Sequence, residues 1–305
     1  MLTAHQLDQF HRDGLLVLRG VFGDQEIRAL QQAADEVAQE GVSGAGSGHG
    51  YRDVGGRRQY YRTDGVLWQQ QAAFRIATVN PSLLAAVGQA LGHPFMPIND
   101  SLVVKLPNSG VDIRWHQDPP YDGASGRPET FGIPNFDCDI YLDAATLENG
   151  CLHGLAGYHL AGHVELERFQ EEDLFGRDDA IPLEMAPGDV LFHSISAPHG
   201  SRANDSNTLR RVFYVHYMAQ EVLEALHPEW LGTRRGFAQH DMRQAKAWLE
   251  ERLQAGLPGP ETTKLELTPK GFVFVGEPVT PPNHWESLIA RLTPQQVRAA
   301  KALAA

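Results

Sequence analysis

Residues 210–217, RRVFYVHY, form the stretch of this chain with the clearest β-strand character, because β-branched and aromatic side chains fill it. Side chains alternate between the two faces of a strand, so every second residue from Arg210 to His216 shares one face. Arg211 then lies on the opposite face. If Arg210 points into a pocket, we expect His216 to share that face and line the pocket, and Arg211 to point away from it.

Short apolar runs of the same kind precede this stretch, and residues such as Gly, Pro and Asn separate them. The candidate strands lie at 101–106, 113–116, 138–142, 151–155 and 189–193. Many short strands divided by turns are typical of an all-β sandwich or barrel. The sequence therefore predicts a mainly β core with helices before and after it.

Helical spacing of apolar residues flanks this core on both sides. It predicts helices at 3–12, 24–40 and 81–91, a short strand at 15–18, and further helices at 239–255 and about 284–304. A turn between 264–267 and 272–275 predicts a hairpin. We expect one domain over 1–305, with the core at about 96–218, N-terminal helical support at 1–95 and a C-terminal extension at 219–305. That extension is a candidate for covering a pocket or for a homodimer contact.

Composition excludes several classes of partner. The formal net charge is −12, and an acidic surface repels nucleic acid and anionic membranes. No apolar stretch approaches the roughly 18 residues of a membrane span, and the N-terminus lacks the pattern of a signal peptide. The two cysteines, Cys138 and Cys151, provide no disulfide framework. We therefore expect a cytoplasmic protein that acts on a small molecule.

The segment WHQD at residues 115–118 carries the first chemical signal. On a strand, His116 and Asp118 project from one face while Gln117 points away. One imidazole and one carboxylate on one face provide two ligands of a metal site. A second histidine from a distant strand completes the arrangement of two histidines and one carboxylate found in non-haem iron(II) oxygenases. Alone, such a pair is a weak signal, because it often occurs by chance.

The segments downstream of this pair strengthen the signal through their order. They are Glu148-Asn149-Gly150, Ala156-Gly157-Tyr158-His159, Gly188-Asp189 and His199-Gly200-Ser201, and Arg210 follows His199 by eleven residues. In this order and spacing they resemble the phytanoyl-CoA dioxygenase family of iron(II)- and 2-oxoglutarate-dependent oxygenases. The opening stretch QFHRDGLLVLRGVF at 9–22 resembles the family as well. The resemblance spans roughly residues 5–218, and the fold it implies is a double-stranded β-helix, a cupin-like jelly roll.

The resemblance implies a role for each matching residue. His116, Asp118 and His199 would hold the iron. Arg210 would bind the far carboxylate of 2-oxoglutarate, because the planar guanidinium forms two parallel charge-assisted hydrogen bonds with a carboxylate. Further cosubstrate contacts are expected from the residues that match the family at three other positions: Ser201, Lys105 and Asn99.

Two alternatives remain open at this level. His193 competes with His199 as the third ligand, and the Gly-Ser that follows His199 and the spacing to Arg210 favour His199. The Tyr- and Arg-rich stretch at 51–68 follows a Gly- and Ser-rich segment at 41–50. It is either an active-site lid, which the hinge-like lead-in favours, or a solvated loop whose aromatic residues pack on the core.

The resemblance also implies the reaction. An oxygenase of this family uses Fe(II), O2 and 2-oxoglutarate, releases succinate and CO2, and oxidises a substrate C–H. Halogenating relatives replace the carboxylate ligand with a small residue, and this chain keeps Asp118, so hydroxylation or another oxidation is expected. The expected substrate is a small metabolite or natural-product intermediate. The rival interpretations are a cupin-like metal-binding protein and a non-catalytic relative that acts without 2-oxoglutarate.

Overall fold

The structure is a computed structural model that describes residues 1–118, 136–160, 164, 166, 169–226 and 242–276. Helices flank the sheets at both ends of this described chain. They are α1 (Ala4–Asp13), α2 (Asp24–Ser43), α3 (Leu67–Gln70), α4 (Ala72–Thr78), α5 (Pro81–Leu91), α6 (Glu171–Phe175), α7 (Gln220–Leu226) and α8 (Met242–Gln254). The predicted helix at about 284–304 lies outside the described residues.

Local sequence accounts for the ends of the first helix. The side chain of Thr3 accepts a hydrogen bond from the Gln6 backbone, and the Gln6 side chain accepts one from the Thr3 backbone. This reciprocal capping box stabilises the start of α1. Gly14 ends the helix in the left-handed conformation, with a φ of 72°, which glycine adopts without steric cost. The chain then enters the first strand directly.

The larger sheet contains most of the strands. Its members are β1 (Leu15–Leu18), β2 (His49–Val54), β3 (Arg57–Asp64), β4 (Phe95–Lys105), β6 (Phe136–Tyr141), β9 (Val190–Ser194), β11 (Arg210–Ala219), β12 (Leu265–Thr268) and β13 (Gly271–Phe274). The strand order is β1-β9-β6-β11-β4-β13-β12, and β3 also pairs with β4. The stretch at 210–217 lies within β11, which pairs antiparallel with β4 and β6 at the centre of this sheet.

The smaller sheet has the order β5-β10-β7-β8 and is also antiparallel. Its strands are β5 (Ile113–His116), β7 (Leu152–Leu155), β8 (Ala180–Leu183) and β10 (His199–Ser201). Side chains from both sheets line one shared cavity, among them Val103 and Tyr214 from the larger sheet and Leu152 from the smaller. This is the expected jelly roll, with the functional site between its two sheets.

The N-terminal part contains more β-structure than expected. Residues 49–64, which include most of the stretch at 51–68, form the hairpin β2–β3 instead of a loop, and Arg62 of β3 pairs with Val103 of β4. The hairpin therefore extends the larger sheet. This hairpin is hard to predict from the sequence. It is rich in arginine, and most of its side chains are half-buried or exposed, so apolar and polar residues do not alternate along it. Tyr61 and Arg62 form part of the cavity wall.

The predicted C-terminal hairpin is confirmed as β12–β13, and it adds to the edge of the larger sheet, where Phe272 pairs with Phe95. None of the described residues after Met218 lines the cavity. One buried apolar cluster includes residues from Leu2 to Phe272 and so joins both ends of the described chain to the core. Across the described part of the chain, no helix combines the length and apolar character needed to cross a bilayer.

Candidate metal and cosubstrate site

Two strands of the smaller sheet bring the predicted histidines together. His116 ends β5 and His199 begins β10, and the two residues lie directly opposite each other in the antiparallel pair. Their ring centroids are 4.3 Å apart. Asp118 follows β5, where its backbone N–H donates to the Ile195 carbonyl at 2.9 Å. Its carboxylate lies 3.7 Å from His116 Nε2 and 3.9 Å from His199 Nε2.

Both histidines are oriented by their own backbone. His116 Nδ1 lies 2.7 Å from the Arg114 carbonyl, and His199 Nδ1 lies 2.9 Å from the Ala197 carbonyl. A carbonyl only accepts, so each Nδ1 carries the hydrogen and each Nε2 presents its lone pair toward Asp118. Burial, with the neighbouring His116 charge, lowers the pKa of His199 to about 3. His199 is therefore neutral near pH 7, as a metal-binding imidazole must be.

The carboxylate of this group is held in its ionised form. Burial alone would raise the pKa of Asp118, but the histidines around it, His199 first, outweigh burial and lower the pKa well below its usual range. One atom from each of His116, Asp118 and His199 lies within 4.8 Å of the others. Two imidazoles and one carboxylate on one side of a cavity form the donor set that suits Fe(II) and leaves coordination positions open.

Arg210 lies further inside the same cavity. Its side chain is 2% exposed, its Nη1 donates to the Gly150 carbonyl at 2.8 Å, and its Nε has no partner among the described residues. The hydroxyl of Ser201, which is buried too, also lacks a partner within the described chain. Buried donors without partners are costly, so they indicate a ligand. Apolar residues line this part of the cavity: Val103, Ile113 and Leu152.

These two donors fit the far carboxylate of 2-oxoglutarate. A charged guanidinium and a hydroxyl in the lining of one cavity can together bind a carboxylate. Arg211 behaves differently, as predicted. Its side chain points away from the cavity and contacts Asp35 at 2.6 Å and Asp143 at 2.8 Å. His216 lines the cavity, which confirms the predicted alternation along β11.

The structure places the two remaining predicted residues differently from each other. Lys105 lies opposite Arg210 on β4 and is buried, but its ammonium donates to the carbonyls of Ser201 and Arg202 and does not form part of the cavity wall. Burial, with the nearby Arg210 charge, holds the pKa of Lys105 well below its usual value. Asn99 does line the cavity, opposite His216. The cosubstrate contacts of both residues stay predictions.

His193, the rival ligand, also lines the cavity, and its ring centroid lies 4.7 Å from that of His199. It is 1% exposed, its Nδ1 is 2.9 Å from Asp139 and its Nε2 is 3.4 Å from Asp118. His193 also belongs to a second group of close ligand atoms with Asp118 and Asp137. Burial opposes a charge on His193, but Asp139 and Asp118 outweigh it and raise its pKa well above the usual value. A protonated imidazole with both nitrogens on carboxylates is a poor metal ligand.

Several cavity residues were not identified from the sequence. They lie on β3, β6 and β11, and they are Tyr61, Arg62, Asp137 and Tyr214. For the residues of β6 and β11 a signal was available, since alternation places Asp137 on one face with Asp139, and Tyr214 on one face with Arg210. The hairpin residues belong to the stretch interpreted as a lid or a solvated loop, and the pairing of β3 with β4 brings them to the cavity.

Two glycines next to the site are required by close packing. A Cβ at Gly200 would lie 3.1 Å from the backbone of Trp115, so a side chain there would push β10 away from β5. Gly150 has a φ of +75°, and a Cβ there would lie 2.2 Å from the Arg202 carbonyl oxygen. The Asn-Gly and His-Gly-Ser segments therefore keep the strands that carry His199 and the Arg210 contact close together.

The cavity has a volume of about 300 Å³. That is the lower end of the roughly 300–1,000 Å³ that small-molecule sites usually provide. Polar and charged residues contribute to its lining, including Arg62, Asn99, Asp137 and His216.

Comparison with known proteins agrees with this geometry. The sequence profile described as phytanoyl-CoA dioxygenase matches residues 10–212. A methylphosphonate hydroxylase of Gimesia maris is 28% identical over 243 residues, which cover 79% of this chain and 90% of that protein. A 2-aminoethylphosphonate dioxygenase of an uncultured bacterium is 28% identical over 137 residues, covering 43% of this chain and 48% of that protein.

Solved structures show the same fold. EvdMO1 aligns with a TM-score of 0.59 and 27% identity. The alignment covers 70% of this chain and 49% of EvdMO1. AviO1 from Streptomyces viridochromogenes aligns with a TM-score of 0.59 and 24% identity, over 71% of this chain and 94% of that one. HygX from Streptomyces hygroscopicus was solved with nickel and 2-oxoglutarate bound. It aligns with a TM-score of 0.56 and 18% identity, over 72% of this chain and 87% of HygX.

Proposed function

Because this chain belongs to the phytanoyl-CoA dioxygenase family and is an iron(II)- and 2-oxoglutarate-dependent oxygenase, we propose that His116, Asp118 and His199 hold its iron. We propose further that Arg210, with Ser201, binds the far carboxylate of 2-oxoglutarate. The observation that carries this assignment is the pair of buried donors, Arg210 Nε and Ser201 Oγ, which lack partners among the described residues and lie in the cavity of the metal group.

The bound Fe(II) would supply O2 activation coupled to the conversion of 2-oxoglutarate to succinate and CO2, with oxidation of a substrate C–H. The protein's own residues fix the geometry. The carbonyls of Arg114 and Ala197 hold the two imidazoles with Nε2 facing the metal position. Arg210 sets how deep the cosubstrate lies. The two sheets shield the reacting atoms from bulk water, which strengthens every electrostatic contact in the cavity.

Lys105 and Asn99 are proposed as further contacts at opposite ends of the cosubstrate. Lys105 is buried opposite Arg210 on β4, with its ammonium on the carbonyls of Ser201 and Arg202, and Asn99 lines the cavity. We also propose that 1–305 forms a single domain, since the buried cluster runs from the first helix to the C-terminal hairpin.

We propose a reducing cytoplasm as the location of the protein, because its two cysteines are free and buried. We propose the segment after 218 as a candidate homodimer contact.

For the substrate, we propose a small polar metabolite, with small organophosphonates as the first class to test. The small cavity, which polar and charged side chains help to line, supports this, as do the two relatives named for phosphonate oxidation. Arg62 lines this cavity, and its guanidinium contacts Asp64 at 2.6 Å. The intact carboxylate ligand supports hydroxylation.

The decisive experiment measures succinate formed from 2-oxoglutarate by the Fe(II)-loaded protein, with methylphosphonate, 2-aminoethylphosphonate and unrelated small acids as candidate substrates. We expect one of the phosphonates to stimulate succinate formation and to yield a hydroxylated product in equal amount. The variants His116→Ala and Asp118→Ala should each lose turnover by more than about 100-fold, in line with the loss of a catalytic group. Metal-dependent turnover retained in both variants would sink the ligand assignment, and stimulation by none of the phosphonates would reject the substrate class.

A further inference from the structure

Behind the metal group, three side chains form a continuous hydrogen-bonded line. Asp139 lies 2.9 Å from His193 Nδ1, and His193 Nε2 lies 3.4 Å from Oδ2 of Asp118. Asp139 is fully buried and His193 is 1% exposed, so the line runs from the interior of the larger sheet to the cavity. His116, in contrast, approaches Oδ1 of Asp118, at 3.7 Å.

The chemistry of the partners fixes how this line works. Both nitrogens of His193 lie on carboxyl groups, and Nε2 faces the carboxylate of Asp118, so Nε2 carries a hydrogen and donates to Oδ2. Oδ2 of Asp118 thereby accepts from His193, and His199 Nε2 lies 3.9 Å from the same oxygen. A carboxylate with one oxygen held in this way keeps its orientation, because rotation of the group would break the hydrogen bond.

We propose that His193, held by Asp139, is a positioning residue for the carboxylate ligand: its contact with Oδ2 fixes how the Asp118 carboxylate is turned between His116 and His199. The inference rests on the proposed function and adds a residue pair that lies outside the predicted site.

Asp139 has a specific part in this arrangement. It lies on β6 and His193 on β9, which are adjacent strands, with Asp137 as the direct cross-strand neighbour of His193. A lone imidazole could rotate about its side-chain bonds, but the charge-assisted hydrogen bond at Nδ1 fixes its plane. The other oxygen of Asp139 has no partner within the described chain, so the Asp139 carboxylate is committed to His193.

His193 is distinguished from a ligand by what its nitrogens touch. His116 and His199 each bind a carbonyl through Nδ1 and leave Nε2 without a hydrogen bond to a described residue, facing Asp118. His193 has both nitrogens on carboxylates, so it has no lone pair to give. Replacing His193 should therefore weaken metal binding less than replacing His116 or His199.

The test uses His193→Gln and Asp139→Asn in the full-length protein, with Fe(II) and Co(II) affinities measured by anaerobic titration. We expect each variant to bind metal about ten- to a hundredfold more weakly, the loss typical of removing a residue that orients a ligand. His199→Gln should abolish binding instead. We also expect a shifted charge-transfer band for the Fe(II)–2-oxoglutarate complex and more succinate formed per product. The double variant should lose little beyond either single one, because the two residues act as a unit.

His153→Gln is the matched control, since His153 is a buried histidine outside the cavity wall, with its Nδ1 on a backbone carbonyl. This variant should leave the metal affinity and the charge-transfer band of the Fe(II)–2-oxoglutarate complex unchanged. The proposal would be overturned if Asp139→Asn left both the metal affinity and the charge-transfer band unchanged. It would also be overturned if His193→Gln, shown by circular dichroism to be folded, bound no metal at all. If His193→Gln does not fold, the metal affinity and the charge-transfer band of Asp139→Asn alone test the proposal. A wild-type protein that shows no band at all would count against the proposed function instead.

Discussion

At the scale of single residues, the neighbours Arg210 and Arg211 show how strand alternation separates function from stability. Both side chains are nearly buried, at 2% and 5% exposed. Arg210 faces the cavity with one nitrogen lacking a partner among the described residues. Arg211 faces α2 and donates to Asp35 and Asp143. The same residue type at adjacent positions therefore has opposite roles.

Replacing these arginines one at a time tests that separation. Arg210→Ala should raise the dissociation constant for 2-oxoglutarate about 10- to 100-fold, because a charged hydrogen-bonding partner contributes roughly 1.5–3 kcal/mol. Isothermal titration or the charge-transfer band measures this in the Fe(II)-loaded protein.

Arg211→Ala serves as the matched variant. It should leave cosubstrate affinity within about twofold but lower the free energy of unfolding by about 1–3 kcal/mol, because Asp143 loses its charged partner. Equal losses of cosubstrate affinity in the two variants would show that the alternation along β11 does not determine the pocket.

At the scale of elements, α1 is attached to the turn that follows β7. The Gly157 N–H donates to the Asp13 carbonyl at 2.8 Å, and His159 Nε2 lies 3.1 Å from the His11 carbonyl. His159 also packs against Gly14, where a Cβ would meet its ring at 2.6 Å. The end of α1 and this turn therefore fit together only with a glycine and a neutral imidazole.

This contact predicts a pH dependence of stability in the metal-free protein. Burial lowers the pKa of His159 to about 4, against about 6.5 in an unfolded chain. Between these values the unfolded state binds a proton that the folded state does not, so stability falls as the pH drops from about 6.5 to about 4. The full loss from this residue is about 3 kcal/mol.

Denaturant unfolding of wild type and His159→Gln across this pH range measures the effect. The variant should lack that part of the pH dependence, so the difference between the two curves should narrow as the pH falls. His5→Gln, at an exposed position of α1, is the control and should follow the wild type. A constant difference at all pH values would mean that His159 does not titrate as expected.

At the scale of the whole molecule, the C-terminal hairpin supports the larger sheet at a distance from the cavity. Phe272 is fully buried, pairs with Phe95 and lies with its ring centroid 5.8 Å from that of Phe95. None of the described residues of this hairpin lines the cavity. Stability and cosubstrate binding should therefore respond independently to changes here.

Phe272→Ala should lower the free energy of unfolding by about 3–5 kcal/mol, the usual result of emptying a buried aromatic site. The 2-oxoglutarate dissociation constant should stay within about twofold wherever the protein is folded. Leu267→Ala, at a position that is 36% exposed, should change stability by less than about 0.5 kcal/mol. A large change in cosubstrate affinity in folded Phe272→Ala would show that the sheet edge and the cavity are coupled.

The sequence by itself determined the features that depend on local geometry and motif order. Alternation along a strand placed Arg210 and His216 on one face, and the order of the motifs pointed to His116, Asp118 and His199, which the structure brings together. Most strands and the C-terminal hairpin were predictable for the same reason, because a two-residue period and turn residues are visible in a short window.

Only the tertiary structure decided what depends on which strands become neighbours. The hairpin at 49–64 lacks apolar alternation, and its pairing with β4 alone brings Arg62 to the cavity. The line from Asp139 through His193 to Asp118 joins β6, β9 and the end of β5, which are far apart in sequence. Cross-strand register is set by packing of the whole sheet, so these contacts have no local signature, although they decide which groups surround the Asp118 carboxylate.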